Sequence, residues 1–116
     1  MADTIPLNKF RLLTKTLGTG SNLIYSSSLD VASILLSTQI TNITGSGVTQ
    51  TVSVSIQKSG SNDHMYILNS GSVPAYESLN PLAGKVVLEK YDGLYMHTRY
   101  SGSLQVVLSV LENAIN

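Results

Sequence analysis

Apolar and polar positions alternate with a period of two along most of this chain. The clearest case lies near the C-terminus, where Leu104, Val106, Leu108 and Val110 fall on one side and Gln105, Val107, Ser109 and Leu111 on the other. Alternation of this kind sends successive side chains to opposite faces of a pleated strand and predicts one buried face. That run closes a stretch, residues 84–112, in which three such segments (KVVLEKY, LYMHTRY and SLQVVLSVLE) are separated by Asp92-Gly93 and Ser101-Gly102. Asp-Gly between alternating runs is the strongest short-range hairpin signal, because a type I′ turn needs positive φ at both central residues. The stretch predicts an antiparallel meander.

Further strands are predicted upstream. Residues 10–17 (FRLLTKTL) carry Arg11 and Lys15, which suit an edge position. Residues 22–27 follow a Gly-Thr-Gly-Ser turn. In residues 31–44, Ala32, Ile34, Leu36, Thr38 and Ile40 share one side, and Ser33, Leu35, Ser37, Gln39 and Thr41 the other. In residues 48–58, Val48, Val52, Val54 and Ile56 point inward and Thr49, Thr51, Ser53, Ser55 and Gln57 outward, with only Gln50 breaking the inner face. Residues 64–69 form one more strand. Pro74 and Pro81 make residues 73–83 a long loop, with room for one helical turn near Glu77. Seven or eight short strands with turn signals every 8–12 residues or so predict an all-β fold. We expect a single antiparallel β-sandwich, Ig-like or jelly-roll, over residues 9–112. An extended arm, residues 1–8, precedes it, with Ile5 and Leu7 as contact candidates, and residues 113–116 are expected to fray.

Composition narrows the function classes. Of 116 residues only 12% are charged while 42% are hydrophobic, against about 25% charged in an ordinary soluble domain. Ser, Thr, Asn and Gln take up the deficit, so the surface is hydroxyl-rich and uncharged. Formal net charge is zero, which argues against nucleic acid as a partner, and little repulsion opposes dense packing of copies. Cysteine is absent, which excludes disulfides and thiolate metal sites. The opening MADTIPLNKF has no basic and apolar leader pattern, and no apolar run approaches the roughly 18 residues of a membrane-spanning helix. The expectation is a soluble, cytoplasmically made protein with no membrane partner.

No residue is assigned to catalysis, a cofactor or a metal. His64 and His97 lie on separate predicted strands without a ligand or base partner at local spacing. The acidic residues are scattered, mostly at turns, where Asp serves backbone hydrogen bonding. Gly-Thr-Gly-Ser lacks the lysine and helix of a phosphate loop, and Asn42-Ile43-Thr44 is read as a coincidental sequon. Tyrosines are six of the seven aromatic residues. Tyr91, Tyr95, His97 and Arg99, around the expected hairpin, are interface candidates, since tyrosine contributes contact area at low entropic cost. Tyr66, Tyr76, Tyr91, Tyr95 and Tyr100 keep open a carbohydrate-binding sandwich, which such rings would serve as platforms.

The segments IPLNKFRLLT, VASILLSTQITNITG, VSVSIQKSG, VPAYESLNPLAGKVVLEKYDGL and SGSLQVVLSVLE, spanning residues 5–112, together resemble small virion structural proteins of tailed bacteriophages. The resemblance implies a non-enzymatic β-sandwich that decorates or cements the capsid, or attaches to the neck or tail. It implies assembly in the host bacterial cytoplasm, other virion proteins (major capsid, tail or neck subunits) as partners, and a homo-oligomer. No catalytic residue carries over. Tyr91 and the Tyr/His/Arg-bearing strand depart from the plainer polar residues expected there and leave open a specific contact at that end.

Overall fold

The computed structural model describes residues 7–27, 31–44, 47–82, 84–99 and 102–114. Among them nine strands run in chain order: β1 (Leu7–Thr16), β2 (Gly20–Ser26), β3 (Val31–Asn42), β4 (Gln50–Gln57), β5 (His64–Val73), β6 (Ser78–Leu79), β7 (Val86–Leu88), β8 (Gly93–Thr98) and β9 (Leu104–Ala114). They form two antiparallel sheets packed as a sandwich. Sheet A has the order β1-β9-β3-β6, with β7 also on β3, and sheet B the order β2-β8-β4-β5. Arg11 and Lys15 do lie on an edge strand, since among the described residues β1 pairs only with β9.

The core is built by alternation. On β9, Leu104, Val106, Leu108 and Val110 are sealed from solvent, and so are Val52 and Val54 of β4 and Leu94 and Met96 of β8 across the sandwich. At about 1.5–3 kcal/mol per large apolar side chain, these two inner faces supply the main driving force for closing the sheets together.

Expectations are corrected at three places in the chain. Residues 84–112 are not a meander: β7 joins sheet A, β8 crosses to sheet B, and β9 returns to sheet A. A period of two identifies the buried face of a strand but says nothing about which neighbour it pairs with. Asp92-Gly93 is not a I′ turn either. The left-handed residue is Tyr91, at φ 63°, and Gly93 is not in that region. Glycine at position 93 instead answers close approach, because a Cβ there would lie 2.9 Å from Cε1 of Tyr95.

The second correction concerns β3. A register shift between Leu35 and Ser37 inserts a β-bulge, and the face exchanges across it. Ser33 and Leu35 are buried before the bulge, and Thr38, Ile40 and Asn42 after it, so Ile34 and Leu36 do not share a side with Thr38. Third, no helical turn forms near Glu77. The Glu77 amide closes a turn on the Pro74 carbonyl at 3.1 Å, and Ser78–Leu79 then pairs with β3.

Asn42 is fully buried and ties this end together. Its Nδ2 donates to the carbonyls of Val48 (2.9 Å) and Val73 (2.8 Å), and its Oδ1 accepts from the Thr44 amide (2.8 Å). A side chain so enclosed is no glycan acceptor.

Candidate functional surfaces

The two outer faces of the sandwich differ in chemistry. On sheet A the alternation that buries Leu108 and Val110 turns the intervening residues outward. In register across four strands stand Phe10, Leu111, Ile34 and Val87. Phe10 is 74% exposed and Val87 61%, and beside them on the edge strand Leu12 is 67% exposed. Other outward positions on these strands include Thr14, Thr16, Gln105, Val107, Ser109, Ala32, Ser37, Gln39 and Thr41, fixed by the same register. None carries a charge. Exposed single hydrophobes are ordinary, but a contiguous apolar row on an uncharged face marks an interaction surface.

Sequence reasoning missed this face. Phe10 and Leu12 share their strand with the cations Arg11 and Lys15, and the bulge in β3 puts Ile34 on the opposite side from Thr38 and Ile40, which strict alternation does not reveal. The alternating pattern also treats both faces of β1 alike. Only pairing with β9 shows that Arg11 aligns with buried Val110 whereas Phe10 aligns with Leu111.

On sheet B, Leu94, Met96 and Thr98 of β8 point inward and Tyr95 and His97 outward. His97 lies opposite Ser21 on one side and Ser53 on the other, and Tyr95 opposite Leu23 and Ser55. Glu89 and Tyr91 precede β8 and are not across from His97. His64 of β5 stacks edge-on against Tyr95 with ring centroids 4.9 Å apart, and its Nδ1 is 3.0 Å from Ser55 Oγ. This is cross-strand packing of aromatic and hydroxyl groups on one sheet face. Among the described residues no group of three His, Asp or Glu side chains is placed to hold a metal. Of the six interface candidates, Tyr95, His97 and Arg99 share this end of sheet B, and Tyr91 stands half-exposed on the turn before β8, with Lys90 Nζ 5.4 Å from its ring centroid. Leu7 begins β1; Ile5 lies outside the described residues.

The turn carrying Tyr91 is organised by Asp92, whose side chain is 3% exposed. Its carboxylate accepts from the Ser59 amide (3.0 Å), the Glu89 amide (3.0 Å) and Lys58 Nζ (2.8 Å), while Lys58 also reaches Glu89 at 2.7 Å. Burial opposes the charge on Asp92, but the lysine and the two amides outweigh it and hold the carboxyl below the usual aspartate range. The bond from Asp92, followed by Glu89, raises the Lys58 ammonium. A second buried knot joins the sheets: the Tyr25 hydroxyl bonds Ser33 Oγ at 2.7 Å and donates to Glu112, which Arg11 pairs at 3.2 Å. Burial, reinforced by the bond to Glu112, pushes the Tyr25 phenol up to about 12. Both arrangements are structural clasps rather than reactive centres.

No protein-family model and no curated protein sequence matches the chain. Solved structures do match in fold. A subunit of the Bacillus endospore appendages, described as a family of disulfide-linked pili, aligns over 99% of this chain and 93% of its own, with TM-score 0.59 and 10% identity. A chain from the acid-stable capsid of Helicobacter pylori bacteriophage KHP30 aligns over 98% of this chain and 97% of its own, with TM-score 0.54 and 11% identity. At such identities the likeness is one of fold. A xylan-binding domain of Paenibacillus barcinonensis superposes at TM-score 0.35 with 15% identity, too low to bear on the reading. The disulfide linkage of the pili has no counterpart here, because this chain has no cysteine.

Proposed function

We propose that the chain is a non-enzymatic structural component of a tailed-phage virion, docked on other virion proteins through the outer face of sheet A. The observation that carries this reading is the uncharged row Phe10, Leu111, Ile34 and Val87. Burying it removes apolar area from water without stranding any ion, the cost that disfavours charged interfaces. The fold it shares with a phage capsid chain and a pilus subunit supports assembly as the role.

Area sets what the face does alone. Phe10 to Thr16 spans about 20 Å along β1, and four strands extend about 15–20 Å across. The footprint is on the order of 350 Å², roughly half the area per partner of a standard interface. The face therefore gives weak pairing in dilute solution and firm attachment where a second contact joins it. Residues 1–6, ahead of β1, are the proposed second contact, with Ile5 as their apolar anchor and Leu7 at the start of the strand. The location is capsid surface, neck or tail. The test is quantitative mass spectrometry of purified particles carrying wild-type chain or the Phe10→Ser/Val87→Ser variant. Absence of the wild-type chain from particles overturns the virion assignment.

A further inference from the structure

The outer face of sheet B carries a second site of different chemistry. Between Val52↔Gly71 and Val54↔Leu68, two residues of β5, Asn69 and Ser70, face one residue of β4, Ser53. Such a bulge re-aims side chains and commonly borders functional sites. Ser70 sits at φ 55°, a conformation costly for a non-glycine residue and concentrated where a site requires it. It is held there by its amide, which donates to Ser53 Oγ at 2.9 Å. The bulge forms one wall of a depression of about 370 Å³ that is also lined by Thr51, His97 and Arg99.

The charges in and around this depression are one-sided. Arg99 is exposed and forms no ion pair among the described residues. No outward position of β2, β8, β4 or β5 in the register around it is acidic. A guanidinium presents a planar fork suited to two oxygens of one oxyanion, and it stays charged at every physiological pH. The neighbours Thr51, Ser53 and Ser70 offer hydroxyls, which suit a hydroxylated ligand better than an apolar one. Tyr95 stands two residues from His97 on the same face, about 7 Å along the strand, and Tyr66, opposite Ser55, is largely exposed. A ligand with its anionic group on Arg99 and His97 extends over these rings.

We propose that this depression binds an anionic saccharide, with Arg99 and His97 on its oxyanion, the serine and threonine hydroxyls on the sugar, and Tyr95 and Tyr66 beneath the ring. The reading is independent of docking through sheet A, which lies on the opposite face. Hydroxyls and aromatic rings beside one cation favour a sugar over an acidic peptide.

The test is an amide-resolved NMR titration of the full chain with four probes: tetragalacturonate, glucose 6-phosphate, maltotetraose and pentaglutamate. Shifts centred on residues 51–53, 69–71 and 97–99 and reaching Tyr66 and Tyr95 are expected with tetragalacturonate, glucose 6-phosphate or both, and the stronger of the two identifies carboxylate or phosphate as the preferred oxyanion. Arg99→Ala should weaken that binding about tenfold, the loss of one charge-assisted contact, with an unchanged melting temperature. Added salt should weaken it too. The proposal fails if neither anionic probe moves these amides. It fails equally if maltotetraose or pentaglutamate binds as tightly as the anionic sugars, or if Arg99→Ala leaves affinity unaltered.

Discussion

Replacing Asp92 tests how the turn before β8 is held. Its carboxylate takes three bonds, two from backbone amides and one from Lys58. Asp92→Ala removes the acceptor of all three. A net hydrogen bond is worth about 1 kcal/mol, and one to a charged group about 1.5–3 kcal/mol. Ser59 and Glu89 are exposed residues whose freed amides water can partly satisfy, so the three do not sum. The expected loss is about 2–4 kcal/mol at pH 7, read as a fall in the urea midpoint with unchanged m-value. Asp92→Asn should lose nearly as much, since its NH2 group meets donors. Lys58→Met should cost far less, because that lysine is half-exposed and water replaces it.

The pH dependence has a definite sign. The folded Asp92 carboxyl titrates below its unfolded value of about 3.9, so its contribution is complete above pH 4 or so and declines as pH falls through the folded value. The gap between wild type and Asp92→Ala should therefore narrow at pH 2–3. A gap of the same size at pH 2.5 and 7, or one below about 1 kcal/mol at pH 7, refutes the clasp.

Three further outcomes follow from the packing. Thr38 carries a buried hydroxyl with no partner among the described residues, so Thr38→Val should be neutral or stabilise by up to about 1 kcal/mol in chemical denaturation. Leu108→Ala empties the centre of sheet A and should cost about 2–5 kcal/mol. The Tyr25 phenol is raised to about 12, so its contribution is intact below about pH 10 and lost as pH rises towards 12. Alkaline unfolding curves of wild type and Tyr25→Phe should converge over that range.

The fold class was legible because alternation was clean where burial was greatest: β9, with Val52 and Val54 of β4, shows the sandwich core directly, whereas Val48, expected inward, is exposed ahead of β4 and Ser55, expected outward, is buried. What escaped was anything depending on partner choice. Asp92-Gly93 looked like a hairpin, yet the aspartate is spent on amides from two separate loops, and its left-handed position falls on Tyr91, which no propensity rule would select. The extra residue near Leu36 was invisible because Ser, Leu and Thr on either side suit both faces. The apolar row of sheet A is assembled from Phe10, Ile34, Val87 and Leu111, up to 101 positions apart in the chain, so no local window contains it. The Tyr95/His97/Arg99 strand was recognisable as unusual, but the β5 bulge that gives it a concave neighbour was not.

The central claim is that the uncharged face of sheet A holds the chain in a particle. The most direct measurement is the number of copies per purified particle for wild type and for Phe10→Ser/Val87→Ser, with the melting temperature of each isolated chain as control. Losing two apolar contacts should reduce occupancy at least tenfold at limiting subunit concentration, equivalent to about 1.4 kcal/mol, while both chains melt alike because the two side chains are exposed. Full occupancy by a normally folded variant would contradict the account.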